Sequence, residues 1–350
     1  MRLVGLAFGL GAMAPLTVTL SAQPQAEADP SQEAAYPEPP PLVAERIVDG
    51  RFEPGHFEYL RGFFPEASEE EKAQYAALVA WLKECNAMGQ ERLAAELTSL
   101  GLTLEDSRYT SAQASLCRQV FRGEQMRDRF KTYRELAEAS REARLVFSTL
   151  VESIRLAELR MRSPQSDFAR ELEVRTLGEQ LFRHSSNWSS GDGEGLRVPR
   201  MSEDAAIVFT ALTLGEGGRV DRENTEWLKR QVGERGWPKL SDVGRAASRA
   251  AWLLAQHADH DPVFQYMALQ MMEPLVAEGE VSKGDFAYLY DRINFKLKGK
   301  QRYGTQITCV DGEHAPHALE EPERLNELRA EMELNSIEEY LEWFRGSCGN

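Results

Sequence analysis

From residue 68 onwards the chain sets apolar residues at helical spacing in one segment after another, with helix-capping signals between the runs. That pattern leaves little freedom in fold class. Ser68 and Glu71 make a capping box opening a helix towards Met88, with Leu78, Trp81, Leu82, Cys85 and Met88 on one stripe. Gly101 suits the C-terminal cap of a following helix. A helical run broken once covers 111–162, and further helices are expected at 168–184, 202–214, 221–234, 241–257, 261–277 and 285–296. Two helices close the chain, the second opened by a Ser336/Glu339 box. "SSNWSSGDGEGLRVP" reads as a loop, and "QRYGTQITCVDGEH" breaks the period: alternation around Thr305, Ile307 and Cys309, followed by Asp311-Gly312, reads as a strand or hairpin. The predicted class is mainly α, a multi-helix bundle-like array with a short β-strand or hairpin near 301–318. No repeat of fixed period is present.

The N-terminus belongs to another category. Arg2 precedes an uncharged apolar run that ends in small residues at Ala22, the layout of a signal peptide. Glycines, Pro15 and two threonines interrupt it, whereas a membrane anchor takes about 20 unbroken apolar residues. No cysteine follows the run, so it is not a lipoprotein signal, and no later segment is apolar enough to span a bilayer. Residues 23–43, rich in Pro, Ala, Gln and Glu, read as a disordered or extended spacer. The expected organisation is signal 1–22, spacer 23–43, an N-terminal helical region 44–163 and a C-terminal helical domain 164–350. The expected location is the periplasm or the outside of the cell, with no integral membrane segment after cleavage.

Four cysteines in an exported chain suggest two disulfides. Of three connectivities, Cys85–Cys117 and Cys309–Cys348 keep each bridge within one region. No CxxC spacing supports zinc. The "NWS" at Asn187-Trp188-Ser189 is formally a glycosylation triplet. With 41 basic and 56 acidic residues the net charge is −15, and no basic block offsets it. Nucleic acid is therefore not an expected partner.

The densest chemistry lies in "QHADHDP", residues 256–262. Pro262 keeps Asp261 out of the helical region, so Asp261 is expected to cap the next helix. His257 ends the preceding helix and projects onto the face of Val243, Ala246, Ala247, Ala250 and Leu254, hence inwards. The ligand set is too small for a closed metal site, and no metal or other cofactor is expected. His257 reads either as a satisfied structural histidine or as an acid/base oriented by Asp259. Asp291 and Arg292 fall off the stripe of Phe286, Leu289, Tyr290 and Ile293, which by itself reads as a solvated face. No phosphate loop, GxSxG or cysteine–histidine pair occurs.

Taken in order, "EQLFR" (Glu179 to Arg183), "DREN" (Asp221 to Asn224), "GWP" (Gly236 to Pro238), "QHADHD", "DR" (Asp291-Arg292) and "QRYGTQ" resemble the motifs of an uncharacterised bacterial domain-of-unknown-function family, over roughly 165–345. Where that family carries Asp-Gln, this chain has Glu179-Gln180. The resemblance implies no activity. It does imply that Gln180, Arg183, His257, Asp259, Asp291, Arg292, Tyr303 and Gln306 act as a group. The expectation is a polar pocket for a small polar or anionic ligand, with hydrolysis as the candidate reaction. His257, Asp259 and Asp291 would be catalytic, and Gln180, Arg183, Arg292, Tyr303 and Gln306 would bind ligand. The alternative is a non-catalytic envelope protein that binds another protein through its helical surface.

Overall fold

The computed structural model describes residues 36–105, 107–109, 115–163, 165–186, 200–344 and 348. The signal peptide, most of the spacer and the 187–189 triplet lie outside the described residues.

The aromatic-rich entry segment is built first. Helix α1 (Pro41–Ala44) leads into a hairpin of β1 (Ile47–Val48) and β2 (Arg51–Phe52). A 3-10 turn, Glu58–Phe63, then places Tyr59 and Leu60 in the interior beside Phe57 and Phe64. Trp81 Nε1 donates to the Pro37 carbonyl at 2.8 Å and Val43 is fully buried, so residues 37–43 pack on the helical body.

The Ser68/Glu71 box opens α2 (Glu69–Ser99), one continuous helix where two were expected. Gly101 ends it: its φ is +75°, and the N–H groups of Gly101 and Leu102 return to the carbonyls of Thr98 and Leu97. That is the glycine C-cap geometry, applied to the first helix instead of a second. Next come α3 (Ser115–Met126) and α4 (Tyr133–Arg160), separated by a break at Phe130–Thr132 where Thr132 and Glu135 form a further capping box. Helix α5 (Asp167–Ser186) follows.

Helix α6 (Glu203–Arg235) corrects the expectation of two helices divided at "GEGG". It runs through Gly215, Gly217 and Gly218 without a break. Each glycine costs about 1 kcal/mol of helix propensity, but α3, α4 and α5 all pack on this helix. The missing side chains permit the approach: a Cβ on Gly217 would meet Phe182 Cβ at 3.4 Å, and one on Gly215 would meet Gln119 Cγ at 3.8 Å.

Helices α7 (Leu240–Gln256), α8 (Pro262–Ala277) and α9 (Lys283–Lys298) complete the main array. Their buried faces meet α2, α5 and α6 in one core that includes Leu93, Leu172, Leu228, Trp237, Ala247, Trp252, Phe264 and Leu289. The expected hairpin is β3 (Ile307–Val310) paired with β4 (Glu313–Pro316). Asp311 and Gly312 both have positive φ, +53° and +84°, as a two-residue type I′ turn requires. Two short helices, α10 (Leu325–Glu331) and α11 (Ile337–Leu341), close the chain. Residues 37–350 cluster as one unit. The protein is thus mainly α with two small antiparallel strand pairs.

The cysteines pair as Cys85–Cys117, joining α2 to α3, and Cys309–Cys348, tying β3 to the C-terminus. No described helix is long and apolar enough to cross a membrane.

Candidate functional site

The joint between α7 and α8 occupies five residues. His257 is the C-cap of α7, the Asp261 N–H returns to the Ala258 carbonyl, and Pro262 starts α8. Asp261 Oδ1 accepts from the Phe264 N–H at 2.8 Å, the capping role read from the sequence. Its Oδ2 accepts from Lys229 Nζ on α6 at 2.7 Å.

The other polar side chains of the joint reach different helices. Asp259 receives Arg292 as a two-pronged contact, Nε at 2.9 Å and Nη2 at 2.5 Å, and Lys296 Nζ at 2.5 Å, all from α9. Burial alone would raise this carboxyl, but the two cations hold it well below the usual carboxylate range. His257 turns the other way, and its Nδ1 meets Glu179 Oε1 on α5 in a short contact. Burial lowers the histidine's pKa, with Arg183 and Arg292 adding to the effect and Glu179 opposing it. The imidazole is therefore neutral at neutral pH, with Nδ1–H donating to the carboxylate. Asp259 was expected to orient this ring. Glu179 does so instead, because the arginine and lysine of α9 have claimed Asp259.

Glu179 is 1% exposed and gathers three donors on one oxygen: His257, Gln180 Nε2 at 3.1 Å and Arg183 Nε at 3.3 Å. Its other oxygen, Oε2, is closed off from water and has no donor. Arg183 also reaches across to α6, where Nη2 donates to Asp221 Oδ2 at 2.7 Å. Asp221 Oδ1 is likewise buried without a donor. Burial, opposed by Arg183 and aided by Glu179, pushes the Asp221 carboxyl up to about 7.

These groups form one wall of a cleft of about 500 Å³. The facing wall comes from α3. Arg118 and Arg122 stand four residues apart on one helical face, and both line the cleft. Neither guanidinium has a carboxylate partner among the described residues; Arg122 donates only to Gln125 Oε1 at 2.9 Å. Burial and the like charge of Arg118 lower the pKa of Arg122. Arg108 joins them at the edge, its guanidinium over the Phe295 ring at 4.8 Å. The floor is Gly217 and Gly218 of α6, which leave the space between the walls open. His260 also lines the cleft, its Nε2 buried without a partner, and burial together with Arg222 holds it well below the usual imidazole range.

The structure therefore divides the expected group. His257, Asp259 and Arg183 line the cleft, Gln180 touches it through Glu179, and Arg292 braces Asp259 from behind. Asp291, Tyr303 and Gln306 do not reach it. Asp291 is fully buried, contrary to the solvated face expected from its position off the stripe. Its Oδ1 accepts from the N–H groups of Arg302 and Tyr303 at 2.7 and 2.9 Å, and its Oδ2 from Thr305 N–H at 2.9 Å. Gln301 closes the same loop: its side chain donates to the carbonyls of Gln306 and His317 and accepts from Gln306 N–H at 2.8 Å. Tyr303 packs edge-on against Tyr290, while Arg329 Nη1 donates to the Tyr303 carbonyl at 2.6 Å. "QRYGTQ" is a loop wound around one carboxylate. Asp291 and Arg292 are adjacent on α9, about 100° of rotation apart, enough to send them into different networks.

Glu179, Asp221, Arg118 and Arg122 were missed as site residues. The first two were visible only as motif letters. The arginine pair carried the signal of i, i+4 spacing without an acidic neighbour at matching spacing, but nothing local placed it opposite α6. Among the described residues, no three His, Cys, Asp or Glu side chains converge as a metal set.

Residues 208–349 match the model of a family of unknown function, DUF6624. The match begins inside α6, so it takes in the joint and the Asp291 loop but leaves out Glu179, Gln180, Arg183, Arg118 and Arg122. No curated protein and no solved structure gives a significant match.

Proposed function

We propose that this chain, whose C-terminal part is of the DUF6624 type, binds a small anionic ligand in the cleft between α3, α5 and α6. The observation that carries the reading is the pair Arg118 and Arg122, two guanidinium groups held in a concave site without a carboxylate partner among the described residues. In a protein of net charge −15, such a pair attracts an anionic carboxylate or phosphate, which guanidinium groups bind with charge-assisted hydrogen bonds. Arg183 and Arg292 are less suited to this task, since each is engaged with carboxylates. The test is calorimetric titration with inorganic phosphate and with acetate. Binding that weakens with salt and falls about tenfold or more in the double variant Arg118→Ala/Arg122→Ala supports the reading. Binding indifferent to both arginines defeats it.

Hydrolysis is the reaction we assign to this site. The support is His257: neutral through burial, aligned by Glu179 through Nδ1, and with Nε2 free of any partner among the described residues. That is the arrangement of a general base acting on water. Release of product from ester and phosphate-ester probes, lost in His257→Ala, is the measurement. The reading of a protein-binding envelope protein rests on other ground: Leu145, Leu156 and Leu159 of α4 are more than half exposed. Asp substitutions at these leucines, with partner capture as readout, separate it from the cleft reading. We further propose export with removal of residues 1–22. The paired cysteines favour it, and N-terminal sequencing of the mature protein tests it.

A further inference from the structure

The cleft is not uniformly positive. Its α3 wall offers guanidinium groups in search of an anion; its α5–α6 wall offers carboxyl groups in search of a donor. Resting on the anion-site reading above, we propose that the ligand is a zwitterion, a small molecule whose anionic group lies against Arg118 and Arg122 and whose ammonium group lies against Glu179 and Asp221.

Three observations converge on this. Glu179 Oε2 and Asp221 Oδ1 both lack a hydrogen-bond donor. A buried acceptor without a partner is costly and rare, so two of them in one cleft wall mark a place where a donor is missing. The donors already present, Arg183, Gln180 and His257, crowd onto Glu179 Oε1 and Asp221 Oδ2, and leave the other oxygen of each carboxyl unused. Both residues line the cleft, and carboxylate end torsions are broad, so each carboxyl has freedom to reorient towards a donor placed there.

The second observation is spacing. A Cβ on Gly218 would meet Arg118 Nε at 3.8 Å, so the guanidinium wall stands over Gly218. Asp221 is three residues on, about one helical turn or 5 Å along α6. Along α6 the two walls are thus set apart by roughly the distance between charges a few bonds apart in one small molecule. The third observation is electrostatic. The cationic lining favours the anionic group at Arg118 and Arg122, but Glu179 and Asp221 repel the end of a plain anion that reaches the α5–α6 wall. An ammonium group on the same molecule turns that repulsion into attraction and gives the site its selectivity.

The experiment compares matched probes on the full folded chain by titration calorimetry: 2-aminoethyl phosphate against ethyl phosphate, and 4-aminobutyrate against butyrate. In at least one pair the amino member is expected to bind about tenfold tighter or more, the effect of a charge-assisted hydrogen bond. Asp221→Asn and Glu179→Gln should bring the ratio towards one while ethyl phosphate or butyrate still binds. Asp221→Asn is the safer variant, since Glu179→Gln also touches His257, and thermal unfolding confirms that each is folded. In wild type the ratio should grow between about pH 6 and about pH 8, as the Asp221 carboxyl ionises. Equal affinity within both pairs overturns the proposal, and loss of both members in Arg118→Ala/Arg122→Ala then leaves the anion reading standing. A ratio unchanged in both acidic variants also overturns it. If no probe binds, both readings fall.

Discussion

Two buried polar networks in this protein are built from the same kinds of residue, one around Asp291 of α9 and one around Glu179 of α5 and Asp221 of α6. Around Asp291 everything is closed: three backbone N–H groups fill both carboxylate oxygens, and none of Asp291, Gln301, Thr305 or Arg329 keeps a buried polar atom without a partner. Around Glu179 and Asp221 the network stays open, with an unpaired oxygen on each and, facing them, two arginines without a carboxylate partner among the described residues. The difference teaches how to tell a structural charge from a working one. A closed network orders the chain. An open one beside a cleft keeps unmet hydrogen bonds for something that is not protein.

The comparison is tested most severely by removing the centre of each network. Asp291→Ala strips the partners from the N–H groups of residues 302, 303 and 305 and should cost about 3–5 kcal/mol in urea unfolding. Asp221→Asn should cost far less, because that carboxyl is already poorly satisfied. If Asp221→Asn is the more damaging, the two networks have been assigned the wrong way round.

The bridges should come next. Cys85–Cys117 and Cys309–Cys348 close loops with sequence separations of 32 and 39. Loss of either should cost about 4 kcal/mol at most on the chain-entropy model. Replacing Cys309 and Cys348 by alanine is expected to lower the Tm without changing anion affinity, since that bridge lies on the side of the closed loop.

Smaller effects probe the joint and the floor. Asp261→Ala removes an N-cap and should cost about 1 kcal/mol, somewhat more through the loss of Lys229 as a partner. Gly218→Ala should move stability and function in opposite directions. The new methyl meets Arg118 Nε at an ordinary contact distance of 3.8 Å, and alanine favours the helix by up to about 1 kcal/mol. The same methyl occupies the cleft floor, so anion affinity should fall while the Tm rises.

The pH dependence has a defined sign. Asp221 titrates near 3.8 when unfolded and at about 7 when folded. A raised acid pKa means that its contribution to stability is fully present below about 3.8 and is lost as pH rises through about 7. The Tm of Asp221→Asn, measured relative to wild type, should therefore climb across that window. A flat difference would place Asp221 in a better-satisfied setting than its buried, donorless oxygen indicates.

Much of the architecture was legible because its signals are local. The Ser68/Glu71 box, the Asp261-Pro262 cap and the Asp311-Gly312 turn each act over a few residues and each is where the sequence placed it, while at Ser336 the N-cap forms without the reciprocal Glu339 half of the box. The failures are instructive for the same reason. "GEGG" reads locally as a break, but α3, α4 and α5 hold α6 straight through it. His257 faces inwards as its helical position predicts, yet its partner is not its sequence neighbour Asp259 but Glu179, 78 positions away.

The sequence alone therefore determined the helical class, the caps, the hairpin and the inward face of His257, since backbone conformation and hydrophobic period are settled within a turn or two. Only the tertiary structure decided which carboxylate meets which cation. A side chain's electrostatic partner depends on the helices that pack beside it, and a rotation of about 100° per residue sends adjacent positions such as Asp291 and Arg292 to different neighbours. The cleft exists because α3, α5 and α6 meet there with glycines on the floor and more charge than they neutralise among themselves.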